Sequence, residues 1–192
     1  MVDVVPTGIE THSGRIFDYE NMRPQDINIQ DIAASLSKIC RYNGHTIRFY
    51  SVAEHCCRLA EYASKVTNDP RAGLYMLLHD ACEAYIGDHV NPMKRAVPAI
   101  QEFENKIQEL ICFRFGLLHP MPAFVKNLDT RILIDEKDIL FPHSRHKWQA
   151  EQQGFGPLEV NIYCLPPPQA EELYLQLFQE MTGTQLKPAF RS

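Results

Sequence analysis

Apolar residues recur along this chain at the three- and four-residue spacing of amphipathic helices, from about residue 26 to residue 140 and again near the C-terminal end. Ahead of them, residues 5–22 carry Pro6, Gly8 and Gly14 around the extended run Arg15-Ile16-Phe17-Asp18-Tyr19, which predicts a short hairpin or irregular arm. From Asp26 to about Arg41, Ile29, Ile32, Ala33, Leu36 and Ile39 fall on one side of a first helix, ended by the turn Asn43-Gly44-His45. Ser51 is placed to cap a second helix, and Glu54 three residues on predicts a capping box. Val52, His55, Leu59, Tyr62 and Val66 share one face of that helix, so His55 points toward the core.

Pro70, a favoured first-turn residue, opens a third helix that runs to Gly87 with Leu74, Leu77, Leu78 and Ala81 as its core stripe. The run His89-Val90-Asn91-Pro92-Met93-Lys94 reads as a loop broken by Pro92. A fourth helix extends from Pro98 through Phe115 and is stopped by Gly116. A fifth runs from about Pro122 to Leu140 with Val125, Leu128, Ile132, Leu133 and Leu140 inward. The stretch from Pro142 to Pro168 reads as irregular, with a strand around Leu158–Tyr163, and a last helix covers Gln169 to Met181. No repeat or low-complexity tract interrupts this pattern. The expectation is an all-α helical bundle in one domain, residues 1–192, with its core in residues 26–140.

Composition places the chain among ordinary globular proteins: 45% of residues are hydrophobic and 22% charged. A formal charge of −5 argues against general affinity for nucleic acid. No stretch is apolar enough to span a bilayer, and the first residues lack the charged and apolar regions of a signal peptide, so a cytoplasmic location is expected. The six cysteines, at positions 40, 56, 57, 82, 112 and 164, form no Cys-x-x-Cys pair and read as small core residues in a reducing compartment. Cys56 also adjoins a candidate ligand and is expected to line the site.

The chemistry concentrates in Leu-Leu-His79-Asp80-Ala-Cys-Glu83-Ala-Tyr-Ile-Gly-Asp88. A helix this apolar does not carry four ionisable side chains on its inner side unless something offsets their burial. Helical spacing sets Glu83 at about 40° when His79 is at 0° and Asp80 at 100°, between the two. His55 on the second helix and Asp129 on the fifth lie on or beside core-facing stripes as well. Three helices can therefore converge on one ion, and two imidazoles with two carboxylates suit Zn, Mn, Fe or Co. His143 and His146 share an i, i+3 spacing, but their Pro-, Ser- and Arg-containing surroundings predict a surface loop. His12, His45, His89 and His119 adjoin turn residues and take no role beyond the proximity to the pocket that is open to His45 or His89.

This ordered H…HD…D set resembles the HD-domain metal-dependent phosphohydrolases. The likeness covers roughly residues 12 to 140, including Ile-Cys-Arg-Tyr-Asn-Gly-His and Tyr-Ser-Val-Ala-Glu-His. It is most similar to the small deoxynucleoside 5′-nucleotidases and the phage-type dATP triphosphohydrolases. The resemblance implies a helical bundle around a divalent cation held by His55, His79, Asp80 and Asp129. It also implies that Glu83 and Asp88 serve catalysis by positioning water or assisting a second ion such as Mg. Arg41, Lys94 and Lys126 match phosphate-contacting positions. Tyr42, Cys56 and Pro92 would lie near sugar and base, although many relatives carry Trp where this chain has Tyr42.

The expected activity is hydrolysis of a small-molecule deoxynucleotide at the α-phosphorus. Three cations exceed what one phosphate needs, which points to a deoxynucleoside triphosphate; the alternative is a 5′-nucleotidase acting on monophosphates. A reading from another class is a non-catalytic nucleotide-binding regulatory module. Neither nucleic acid nor membrane is an expected partner, and self-association is left open.

Overall fold

In a computed structural model the described residues are 7–186; Pro6 of the predicted arm lies outside them. The arm is a two-stranded antiparallel hairpin, β1 (Gly8–Glu10) and β2 (Ile16–Asp18), with Ile9 opposite Phe17. It is tied down by Asp31, which accepts from the Ser13 amide at 2.6 Å and from the Thr11 and Ser13 hydroxyls. The α-helices among the described residues are α1 (Ile29–Leu36), α2 (Val52–Thr67), α3 (Pro70–Leu78), α4 (Glu83–Ile86), α5 (Asn91–Ala96), α6 (Pro98–Arg114), α7 (Ala123–Leu140), α8 (Gln149–Gln152) and α9 (Pro167–Thr182). This is the expected all-α class. Among the described residues no helix is long and apolar enough to cross a membrane.

The centre of the fold is the packing of α2 on α3, with α9 laid across both and α1 against α9 and α4. Leu59, Leu77, Leu78, Ile107, Ile111 and Tyr174 are shielded from solvent there, and the Tyr174 hydroxyl donates to the Leu77 carbonyl at 2.7 Å. Close approach of α3 requires Gly73. A Cβ at that position would lie 3.0 Å from the Ala60 carbonyl oxygen of α2 and 2.6 Å from the Met181 methyl of α9.

Several local expectations are corrected. The first helix is shorter than residues 26–41: Asn28 caps it by accepting from the Gln30 amide at 3.0 Å, and Arg41–Gly44 forms a separate 3-10 turn. Within that turn Tyr42 and Asn43 sit in the left-handed region at φ of 57° and 52°. Ser51 does cap α2, accepting from the Glu54 amide at 3.1 Å, but Glu54 makes no capping box. Its fully buried carboxylate instead accepts from the backbone amides of Tyr163, Cys164 and Leu165 at 2.7, 3.1 and 2.6 Å. Val66, expected on the core face, is 57% exposed.

The third helix ends at Leu78, nine residues short of Gly87. In a continuing helix the Cys82 amide would bond the Leu78 carbonyl. Here the buried side chain of Gln108 on α6 is inserted between them: its amide donates to Leu78 O at 2.8 Å and its carbonyl accepts from Cys82 N at 3.2 Å. The chain turns over residues 79–82 before α4 begins. Residues 91–96 are a helix rather than a loop, because Pro92 falls in the first turn, where no intrahelical N–H is needed. No strand forms at 158–163. That segment is extended without a partner strand, held by Glu54 and by Asp135, which accepts from the amides of Leu158 at 2.8 Å and Val160 at 3.1 Å.

Candidate metal centre

His55 comes from α2, His79 and Asp80 from the turn after α3, and Asp129 from α7. One donor atom from each lies within 4.8 Å of all the others. His55 Nε2 is 3.3 Å from His79 Nε2, 3.6 Å from Asp80 Oδ2 and 3.5 Å from Asp129 Oδ1. His79 Nε2 is 3.2 Å from Asp80 Oδ2 and 3.7 Å from Asp129 Oδ1. Donors bound to a common ion at about 2.0–2.2 Å stand roughly 2.9–3.6 Å apart, so these residues fit a divalent cation.

The opposite edges of both imidazoles are already committed. His79 Nδ1 donates to the Met76 carbonyl at 2.6 Å, and His55 Nδ1 donates to Glu136 Oε1 at 2.5 Å. Both Nε2 atoms therefore face the cluster, where their lone pairs are available to a shared cation. Glu136 is fully buried and also accepts from Arg41 at 3.3 Å and from the Tyr42 hydroxyl. Burial alone would raise its carboxyl, but the charge of Arg41 and the hydrogen bonds from His55 and Tyr42 overcome this and hold it down at about 2. The sequence reading missed Glu136. A signal was available, since it lies seven residues after Asp129 and hence on the same face of α7.

A cleft of about 700 Å³ opens beside this cluster. Every predicted site residue except His55 and Cys56 lines it. His55 lies fully buried beneath it. Cys56 is part of the core behind His79, its Sγ 3.9 Å from Nδ1, and burial pushes its thiol up to about 11. The correction follows from helix geometry: a residue next to a ligand points about 100° away from it. Pro92 stands exposed on the rim at the start of α5.

The helix expected to carry Glu83 between His79 and Asp80 is interrupted over residues 79–82, and Glu83 instead opens α4. Its carboxylate is 3% exposed, with Oε1 3.6 Å from Lys94 Nζ and Oε2 buried without a hydrogen-bond partner. Burial raises the Glu83 carboxyl well above the usual carboxylate range, and the nearby Asp80 and Asp88 raise it further. Burial likewise raises Asp88, against the opposing charge of Arg41.

The three predicted cations are less free than the sequence suggests. Lys94 Nζ is held 2.8 Å from Glu104, a buried α6 residue that the sequence reading missed, as well as by Glu83. Lys126 pairs with Asp129 Oδ2 at 2.8 Å on the rim. Arg41 lies 3.5 Å from Asp80 Oδ2 and bridges it to Glu136. Asp80, Glu83, Asp88, Glu104 and Asp129 thus face Arg41, Lys94 and Lys126 across the cleft, an excess of acid that a divalent cation would offset. His143 and His146 are exposed, and no second group of metal-capable side chains forms among the described residues.

The uncharacterized protein YfdR of Escherichia coli (strain K12) is 34% identical over 175 residues, covering 91% of this chain and 95% of its own length. An uncharacterized protein of Rhodobacter capsulatus is 37% identical over 121 residues, covering 59% of this chain and 61% of its own. No protein-family model matches the chain.

Proposed function

The chain belongs to the family of Escherichia coli YfdR, and from its cleft we propose that it is an HD-type metal-dependent phosphohydrolase acting on deoxynucleotides. The observation that carries the reading is the convergence of two imidazoles and two carboxylates, spaced for one ion, on a cleft of small-molecule size. When bound, a divalent cation supplies Lewis-acid charge that polarises a phosphate and lowers the pKa of water.

The protein's own groups account for the remaining work. Arg41, kept cationic beside two carboxylates, is the group best suited to orient a phosphate oxygen. Glu83 Oε2, buried and without a partner, is placed to hold or move a proton. Hydrolysis at the α-phosphorus forms one P–O bond from water and breaks the bond to the nucleoside 5′ oxygen, which takes up a proton.

The pairing of Lys94 and Lys126 favours the monophosphate over the triphosphate. The triphosphate expectation rested on three available cations, and two of these are already neutralised by Glu83, Glu104 and Asp129. The test is turnover of the metal-supplemented chain against a panel of deoxynucleoside mono-, di- and triphosphates. Release of deoxynucleoside and inorganic phosphate, fastest from monophosphates, is the expected result. Absence of turnover at full metal occupancy would leave the non-catalytic nucleotide-binding module instead.

A further inference from the structure

We infer that Trp148 and Gln149 form a recognition wall for a nucleobase, in a part of the chain to which the likeness to phosphohydrolases does not extend. The inference rests on the reading of the cleft as a nucleotide site and names how that nucleotide's base is held.

The charged residues of the cleft come from residues 41–129; the wall at Trp148–Ala150 presents an indole, an amide and a methyl group, without charge. Trp148 is fixed rather than draped over the surface. Its backbone amide donates to Glu151 Oε2 at 2.7 Å, and that same oxygen pairs with Lys137 Nζ of α7 at 2.6 Å. The wall is thereby pinned to the helix that carries Asp129 and Glu136.

The indole also belongs to an aromatic cluster, with the Tyr42 ring centroid at 5.5 Å and that of Phe141 at 5.2 Å. Interplanar angles of 53° and 67° mean that neither ring lies flat against it. Trp148 remains partly exposed and borders the cleft. The hydroxyl of Tyr42 is held by Glu136, so the cluster is built onto the residue that orients His55.

Amides complete the surface. Gln149 follows Trp148 in the chain and lines the cleft with it, and Gln101 and Asn105 of α6, hydrogen-bonded to each other at 3.3 Å, line the same cleft. An indole beside neutral amides suits a ligand that is planar, apolar on its faces and rich in donors and acceptors at its edge. A nucleobase has that chemistry; a sugar phosphate or an aliphatic ester does not.

The chain contains a single tryptophan, so Trp148 reports on its own site. Titrating the full chain with deoxynucleosides, which carry no phosphate, should quench its fluorescence saturably after inner-filter correction, whereas 2-deoxyribose 5-phosphate should leave it unchanged. In turnover assays Trp148→Ala should raise KM for deoxynucleoside monophosphates about tenfold while leaving that for 2-deoxyribose 5-phosphate unchanged, and Trp148→Phe should recover most of the loss. Thermal melting of both variants identifies any failure to fold, and the wild-type titration needs no variant. Quenching without turnover of any phosphate ester would keep the base wall and remove the phosphohydrolase reading. Turnover without quenching, or an equal KM effect on both substrates, would overturn the wall and leave the hydrolase.

Discussion

His55 and Glu136, both fully buried, face each other with Nδ1 2.5 Å from Oε1. This contact fixes the imidazole so that Nε2 points at the donors from the other two elements. Carboxylate partners of this kind typically contribute 10- to 100-fold in metal affinity. Glu136→Gln should therefore weaken metal binding by about that factor, as read by competition with a chromogenic chelator. The metal-free protein should also respond differently to acid. Because Glu136 is held at about 2, it contributes stability that is present above the unfolded value near 4.5 and lost as pH falls toward 2. Melting temperature should fall more steeply in that window for the wild type than for Glu136→Gln; identical slopes would remove Glu136 from the linkage.

Asp80→Asn tests the metal centre directly. A neutral amide is a weaker ligand than a carboxylate, so metal content should fall while circular dichroism remains helical. Chelation of the wild type should lower its melting temperature, since an ion bound only to the folded state stabilises it by mass action. Full metal occupancy in Asp80→Asn would refute the assignment of Asp80 as a ligand.

The donors were legible in the sequence because each is a local event. His79 and Asp80 interrupt an apolar run, and His55 and Asp129 fall on core-facing stripes. What the sequence concealed lies in contacts between distant elements. Nothing near Leu78 announces that Gln108, thirty residues on, takes the place of a helical hydrogen bond and turns the chain. Glu104 and Lys94 likewise reveal their pairing only once α6 packs beside the cleft. Trp148 belongs to a stretch without periodicity, so no pattern directed attention to it. Glu54 was read from a local motif that fits its spacing, yet its carboxylate serves the amides of residues 163–165 instead.

That last contact carries a prediction of its own. Glu54 and His55 are neighbours on α2, and Asp135 and Glu136 are neighbours on α7; in each pair one residue anchors the extended segment and the next is part of the candidate metal cluster or holds its imidazole. In Glu54→Gln the new amide group would face backbone N–H donors, leaving buried groups unsatisfied at a cost of about 1–3 kcal/mol. The melting temperature should fall and metal affinity should drop with it, because the segment clamps the helices that position His55. A stability loss with unchanged metal affinity would confine Glu54 to holding the segment.

Glu83→Gln should retain the metal and lose roughly 10²–10⁴-fold in rate, the range general acid–base groups contribute. Its carboxyl is raised by burial first and by Asp80 and Asp88 next, so its ionised form appears only above the usual carboxylate range. If that form acts as the base, the acid limb of kcat/KM should lie above about 4.5, with rate rising as pH rises through it. The limb should disappear in Glu83→Gln. A rate loss under about threefold would exclude the role, and loss of bound metal would make Glu83 a ligand.

Lys94→Ala distinguishes a phosphate-binding lysine from one that stabilises the cleft internally. Lys94 Nζ lies 2.8 Å from Glu104 and 3.6 Å from Glu83, and both carboxylates are almost completely buried. Removing the lysine leaves two buried carboxylates without their cation, a change that typically costs about 3–5 kcal/mol. The melting temperature should fall, and Glu83 should become still harder to ionise, moving the acid limb of the rate profile to higher pH. Loss of turnover should be similar for mono- and triphosphates, because the missing charge acts on Glu83 and not on a distal phosphate. The double variant Lys94→Met with Glu104→Gln should recover much of the stability, since it removes the Lys94–Glu104 charges together. A selective loss of triphosphate turnover, with melting and pH profile unchanged, would instead return Lys94 to the phosphate.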